Sequence, residues 1–413
     1  MQIIGIVVEY NPFHNGHFHQ IEQIRTKYPE CAIVVVMSGH FSQRGLPCVL
    51  DKYTRAEMAL ACGVDLVLEL PTVYATASAE RFSEAAINTL HLSGIVDILS
   101  FGSETPDLTF MKQLASLFVE EPPFVSSRIQ TYLQEGESYP RARLLGIKDY
   151  FTSYTKDIKS SAQLEVFLAQ PNNILSIEYL KALQRFNTTI EPFPIQRQVA
   201  GYHDLTLKGS IASATAIRHH LAQGNGLQAE QAMPLEAFRR FTQATPKAFS
   251  LDDYTQLFHY KIIMSNLESL YAVWDIPNNL CRSLYHASQT LMPLSQIVEQ
   301  VTSKTYTRAT VQRAILRILL DVKQKDLEQI QEIGWIPYIH VLGCNKTSTH
   351  LLSELSQKAK VPLLLNVGKD QAKLTPLGEK LFKYELRASK LYALLTHDTS
   401  ILNKDFTYHP IRR

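Results

Sequence analysis

The first two hundred residues alternate between solid apolar runs and stretches with helical spacing. Ile3–Val8 is an uninterrupted apolar run, closed by the Asn11–Pro12 turn and followed by an amphipathic stretch from about Asn15 to Tyr28. Ala32–Met37 predicts a second strand, Val64–Leu70 a third that stops at Pro71, and Val96–Phe101 a fourth that ends at Gly102. Lys52–Ala61 and Ala77–His91 read as helices between them. Strands that are apolar throughout, each followed by a helix, describe a parallel sheet covered on both faces.

Residues 105–170 read as mostly helical, with a turn at Pro122–Pro123. Asn172–Phe186 predicts a helix entered through Pro171–Asn172, which supplies turn and cap. Thr189–Gln196 predicts the last sheet strand and Ser213–Leu221 the next helix. From Gln223 to about Glu332 the pattern is almost wholly helical, and after Trp335–Pro337 the short apolar runs Tyr338–Leu342 and Val361–Val367 return. The expected organisation is an α/β, Rossmann-like domain over 1–222, a helical domain over 223–334 and a small mixed segment over 335–413.

Composition narrows the classes of function. The chain has 413 residues, 45% of them hydrophobic, and a net charge of +2. A uniformly basic nucleic-acid coat and an acidic disordered tail are both excluded. The charge is unevenly placed, however. Residues 1–100 carry 6 Lys/Arg against 10 Asp/Glu, a net of −4, whereas residues 291–413 carry 18 against 11, a net of +7. That asymmetry permits a polyanion partner at the C-terminal end, although ordinary drift in surface charge reads the same way. The five cysteines, Cys31, Cys48, Cys62, Cys281 and Cys344, are scattered and contain no C-x-x-C pair, as expected of reduced thiols. Met1–Gln2 offers no cationic leader, Glu9 breaks the first apolar run, and no uncharged stretch reaches the roughly 18 residues a bilayer needs. The expectation is a cytoplasmic protein.

The chemistry concentrates just after the first strand, in Glu9-Tyr10-Asn11-Pro12-Phe13-His14-Asn15-Gly16-His17. In a doubly wound sheet, ligands bind at the carboxyl ends of the strands, where the following helix begins. A helix N-terminus there presents N–H groups and a positive dipole end to phosphate. Gly16 admits close backbone approach, and His14 and His17 share one helical face. Two imidazoles aimed at a phosphate can donate hydrogen bonds to charge developing during phosphoryl or adenylyl transfer. A metal reading is weak, because His-x-x-His lacks the spacing and glutamate of a helical zinc motif.

A second element is Lys208-Gly209-Ser210-Ile211-Ala212-Ser213-Ala214-Thr215-Ala216-Ile217-Arg218. Ser213 and Thr215 stand at a predicted helix start, where hydroxyls and N–H groups can hold polyphosphate. Arg218 lies in position to neutralise a leaving pyrophosphate. Alone, this run is equally an ordinary capped helix with an exposed arginine.

Together the His-x-Gly-His loop and the later Ser-x-Thr-x-Ile-Arg helix start resemble the nucleotidyltransferases related to class I tRNA synthetases, which implies a HUP-type Rossmann-like sheet. Ile6–Asn15, Ser38–Pro47, Asp65–Pro71, Phe101–Glu104, Pro171–Leu180, Ile211–Arg218, Tyr306–Leu320 and Val341–Gly343 extend the likeness along most of the chain. They resemble the bacterial tRNA(Met) cytidine acetate ligases. The resemblance implies that ATP and acetate give acetyl-adenylate, and that the acetyl group passes to the N4 amine of the wobble cytidine in elongator tRNA(Met). It implies ATP, with Mg²⁺ bridging its phosphates, and as partners acetate and tRNA, with neither membrane nor DNA. It places ATP on Val7, Val8, Glu9, Tyr10, Asn11, Pro12, Phe13, His14, Asn15, Gly16, His17, Phe18, His19 and Gln20. Gly102, Asn172, Arg197, Ser213 and Thr215 would complete that site, with Asn173 as the neighbour to Asn172. His14, His17 and Arg218 would carry the chemistry, and no residue stands out as a dedicated metal ligand.

Arg44 and Lys52 follow the second strand and are candidates for contact with acetate, phosphate or tRNA. On the basic C-terminal side, Arg308, Arg313, Arg317 and Lys346 are candidates for tRNA. Arg313 and Arg317 are four apart, hence on one helical face, where a solvated stripe is the alternative. Two other functions stay open from the residues. One is an adenylyltransferase or acetate ligase acting on a small metabolite or carrier protein. The other is a non-catalytic tRNA-binding protein that keeps ATP as a structural ligand.

Overall fold

The computed structural model of the chain describes residues 1–137, 139–155, 164–197 and 212–412. These fall into two compact units, Met1–Asp97 with Gln198–Arg413, and Ile98–Arg197. The units divide at neither residue 222 nor residue 334. The strands are β1 (Ile3–Val8), β2 (Ala32–Ser38), β3 (Leu66–Leu70), β4 (Ile98–Ser103), β5 (Glu191–Gln196), β6 (Ile339–Cys344), β7 (Leu363–Leu364) and β8 (Ile411–Arg412). Helices that carry or support site residues are α1 (Asn15–Lys27), α2 (Lys52–Ala61), α3 (Pro171–Arg185), α4 (Ala214–Ala222), α5 (Arg308–Leu320) and α6 (Pro376–Thr396).

In the first unit β1 runs parallel to β2, Ile3 opposite Ala32 through Val8 opposite Met37, and β2 runs parallel to β3. Every residue of β2 and β3 is buried, which is why both read as apolar without alternation. The parallel pairing expected of these strands is borne out, and β6 adds to them by pairing antiparallel with β3. The strand of the expected closing segment thus joins the sheet that begins the chain and covers its edge. The same segment holds α6, 21 residues long, which buries Leu381, Phe382, Ala388, Leu391, Tyr392 and Leu395.

A buried charge cluster fastens that segment in place. Lys52, fully buried at the start of α2, pairs with Glu69 at 2.8 Å and with Asp405 at 2.7 Å. Glu69 Oε2 lies 2.5 Å from His340 Nδ1 on β6, and Tyr53 OH donates to Asp405 at 2.7 Å. Glu385 on α6 accepts from Thr72 N at 2.5 Å and from Thr72 Oγ1 at 2.7 Å. Burial opposes ionisation at Glu69, but Lys52 and the His340 hydrogen bond outweigh it and hold the carboxyl at about 2. Glu385 has no cation of its own; burial, then the Glu69 charge, push it up to about 8. Removed from solvent and doubly paired, Lys52 is not a ligand-contacting residue, which corrects the expectation from its position in sequence.

In the second unit β4 and β5 run parallel, Ile98 opposite Glu191 through Ser103 opposite Gln196. The helices Leu108–Glu120, Pro123–Gln134 and Tyr139–Tyr150 bear out the helical reading of the segment between them. None of the described helices is long and apolar enough to cross a membrane. All five cysteines are buried, and none is in a disulfide.

Candidate active site

The turn after β1 is built around two histidines that cap each other. His14 is the N-cap of α1, with extended backbone, and its Nδ1 accepts from Gly16 N at 3.0 Å. In return His14 N donates to His17 Nδ1 at 3.2 Å. This is a capping box made from imidazoles in place of the usual hydroxyl and carboxylate. The rings stack, centroids 3.7 Å apart. Because both Nδ1 atoms accept from backbone N–H, both rings carry their proton on Nε2. Gly16 has a packing reason as well as a ligand-binding one: a Cβ there would lie 2.9 Å from His14 Cε1.

Tyr10 and Phe13 stand behind the pair. Their side chains are 2% and 0% exposed, and their ring centroids lie 4.8 Å and 5.6 Å from that of His17. Both side chains therefore hold the imidazole in position instead of facing a ligand. Val7 and Val8 end β1, while Asn15, Phe18, His19 and Gln20 belong to the first turns of α1. Asn15 Nδ2 donates to Gln231 O at 2.9 Å.

Arg218 joins this turn from far along the chain. Its Nη1 donates to Asn11 O at 2.7 Å and its Nη2 to Thr215 Oγ1 at 3.1 Å. Ser213 caps α4 as expected, accepting from Ala216 N at 3.1 Å. The first unit thus brings His14, His17, Asn11, Thr215 and Arg218 together. Lys208, Gly209, Ser210 and Ile211 lie outside the described residues.

Sequence reasoning missed Arg55, which is fully buried on α2. Its Nη1 donates to Glu9 O at 2.6 Å and its Nη2 to Ser38 O at 3.0 Å, so one guanidinium ties the ends of β1 and β2. The Glu9 side chain accepts from Gln43 N at 2.7 Å, which anchors the loop after β2 to the same turn. A buried cation can be seen in sequence only as an arginine on a helix; its targets are backbone carbonyls with no sequence signature.

The second unit groups its own three predicted residues. Arg197 Nη1 donates to Asn172 Oδ1 at 3.0 Å, and Asn172 Nδ2 donates to Glu104 Oε1 at 2.6 Å. A Cβ on Gly102 would lie 3.0 Å from Arg197 Cγ, so glycine leaves room for that side chain. Asn173 is fully buried and accepts from Ser103 Oγ at 2.6 Å, Glu104 N at 3.1 Å and Thr105 N at 3.2 Å. Asn173 holds the strand end together, whereas Asn172 is partly exposed.

The C-terminal cations separate by exposure. Arg308 is exposed at the start of α5, and Lys346 is exposed in the helical turn Lys346–Ser348. Arg313 is half-buried and donates to Thr310 Oγ1 at 3.2 Å. Arg317 is 3% exposed, pairs with Asp275 at 2.9 Å and lies 4.8 Å from the Trp274 ring centroid. Burial pulls its guanidinium down to about 10 against the opposing pull of Asp275. Arg317 is therefore neither a tRNA contact nor part of a solvated stripe. Helix α5 is enclosed over most of its surface, so a spacing of four carries the second arginine into the core.

Among the described residues no group of three His, Cys, Asp or Glu side chains could hold a metal ion. The β1–α1 turn brings together two imidazoles, a guanidinium and a helix N-terminus, groups whose chemistry suits anionic oxygen.

The chain is similar over its whole length to proteins of one family. The HIGH Nucleotidyl Transferase family model matches residues 1–405. A tRNA(Met) cytidine acetate ligase of Thermoanaerobacter sp. (strain X514) is 34% identical over 415 residues, covering 100% of this chain and 99% of that protein. One from Alkaliphilus metalliredigens is 35% identical, covering 95% of this chain and 94% of that protein. Crystal structures of Thermotoga maritima TmcAL superpose over 100% of this chain and 99% of theirs. The apo form has a TM-score of 0.93 at 28% identity, and the form bound with alpha-thio ATP a TM-score of 0.90 at 27% identity.

Proposed function

Because the chain belongs to the HIGH nucleotidyltransferase family, we propose that it is an ATP-dependent ligase that activates acetate and acetylates the N4 amine of the wobble cytidine of elongator tRNA(Met). The observation that carries the reading is the reciprocal histidine cap on the turn after β1, which places the ring protons on Nε2, with Arg218 tied to the same turn.

Acetate is a weak nucleophile and its oxygen a poor leaving group, so it cannot acylate an amine directly. In the first step an acetate oxygen attacks the α-phosphorus of ATP, the bond to the β-phosphate oxygen breaks, and pyrophosphate leaves with its electron pair. His14 and His17 stabilise charge on the α-phosphate oxygens, and Arg218 neutralises the departing pyrophosphate. Ser213 and Thr215 hold the phosphates. Mg²⁺ would arrive with the triphosphate and would supply neutralisation of its charge. In the second step the cytidine N4 attacks the acetyl carbon, AMP leaves, and the amine gives up a proton. That amine is weak because its lone pair is delocalised into the ring, so placement against the mixed anhydride supplies much of the rate. Arg308 and Lys346 contribute to holding the RNA, and a cytoplasmic setting follows from such a substrate.

The test is acetate-dependent exchange of labelled pyrophosphate into ATP, followed by incubation with ATP, labelled acetate and bulk tRNA. Exchange with acetate and label recovered in N4-acetylcytidine support the reading. Exchange with a different acid, or label on a small metabolite, overturns it.

A further inference from the structure

A cleft of about 610 Å³ opens in the first unit, walled by Arg44, Ser250, Asp252, Ser295, Arg308 and Gln312. Its size lies within the range of roughly 300–1,000 Å³ that small-ligand pockets occupy, enough for one nucleotide. Three features identify what it takes.

The first is charge. Arg44 and Arg308 are both exposed, and Arg308 has no hydrogen bond or ion pair among the described residues. The opposing carboxylate of Asp252 is engaged, accepting from Ser295 N at 2.8 Å and Ser295 Oγ at 2.9 Å. Arg308 is thus a cation that a phosphate could meet, with Arg44 on the same cleft wall. The second is an unmet polar group. Gln312 is 7% exposed, lines the cleft one turn beyond Arg308, and its carboxamide has no hydrogen bond among the described residues. Its amide oxygen and nitrogen are reached from the cleft, so they can meet a partner with both donor and acceptor atoms, such as a base edge. The third is position. The loop carrying Arg44 is fastened to the β1–α1 turn through Gln43 N and Glu9 Oε1, 2.7 Å apart. On its other side Gly45 sits at φ +79°, where a Cβ would lie 3.0 Å from Gln312 O, and its carbonyl accepts from Tyr254 OH at 3.0 Å. Arg44 is thus held rigidly beside both the cleft and the nucleotide-binding turn.

We infer that this cleft binds one unstacked nucleotide of an RNA, its phosphodiester between Arg44 and Arg308 and its base edge on Gln312. Proteins that read single-stranded RNA splay bases out in this way and pair their edges with side-chain amides. The inference rests on RNA being the acetyl acceptor.

Binding of elongator tRNA(Met) transcript to the full chain, measured over a series of salt concentrations, tests it. Arg308→Ala should weaken binding about tenfold at low salt and flatten the log–log salt slope by about one, with Arg308→Lys keeping the slope. Gln312→Leu should weaken binding about tenfold with the slope unchanged, since it removes no charge. If Gln312→Leu lowers the melting temperature sharply, Gln312→Glu replaces it, with weakening that grows as salt falls. Unaltered protein that exchanges pyrophosphate with acetate but does not bind RNA defeats the acceptor assignment. Unaltered protein that binds RNA, with Arg308→Ala and Gln312→Leu variants that bind as tightly at every salt, defeats the cleft.

Discussion

Replacing His17 by alanine separates what the imidazole does for the helix from what it does for the reaction. Two losses are expected. The Nδ1 acceptor of the His14 N–H disappears, and a capping interaction of this kind stabilises by about 0.5–2 kcal/mol. In a chain of this size each kcal/mol moves the melting temperature by roughly 2–4 °C or less, so the variant stays folded under assay. The second loss is the Nε2–H donor. Removing one preorganised donor to charge developing in a transition state costs about 10²–10³ in rate, or about 2.7–4 kcal/mol. The measurement is acetate-dependent pyrophosphate exchange at saturating ATP, with kcat and KM resolved. The expected result is a kcat lowered by about two to three orders of magnitude and a smaller change in KM. His17→Gln is the companion variant, because glutamine at the third helical position completes a capping box and should recover the melting temperature. Should His17→Ala exchange pyrophosphate within about threefold of the unaltered protein, the transition-state role assigned to this ring is wrong.

Lys52→Met leaves Glu69 and Asp405 buried and facing each other without a cation, a loss of about 3–5 kcal/mol that a urea midpoint would register; an unchanged midpoint contradicts the buried-pair account. Glu385, raised from 4.5 to about 8, binds its proton more tightly folded than unfolded, so its contribution is fully present below about pH 4.5 and lost as pH rises through about 8. Glu385→Gln should therefore stabilise the protein at pH 8 and flatten the fall in stability between those limits, measured by denaturation at stepped pH. Gly102→Val drives a side chain into Arg197 Cγ, 3.0 Å from the Cβ position. It should displace Arg197 from Asn172 and raise KM for ATP about tenfold, the worth of one charged hydrogen bond; an unaltered KM removes Arg197 from the nucleotide site.

How far the sequence could be read depended on whether a residue acts through local or distant partners. The strand β1 and helix α2 fall where apolar runs and capping residues placed them, since Ile3–Val8 and Lys52–Ala61 obey local rules of burial and periodicity. The His-x-Gly-His turn was legible for the same reason. Its two rings bond to backbone atoms two and three residues away, so the whole device lies within one short string. Arg317 shows the opposite case. Its spacing from Arg313 gave a shared face, but whether that face meets solvent depended on Trp274 and Asp275, which lie more than forty residues earlier. Lys52 failed in the same manner, because both of its carboxylates come from other elements, and one of them is Asp405.

The amino-acid order alone settled an α/β start, a turn bearing two histidines after the first strand and an almost wholly helical middle, because each follows from patterns a few residues long. Tertiary structure alone decided that the closing strand turns back antiparallel onto β3, that Arg218 reaches the Asn11 carbonyl, and which cations are buried. Those outcomes depend on the free energy of burying groups far apart in the chain, and a burial partner hundreds of residues away leaves no local mark on the segment it will cover.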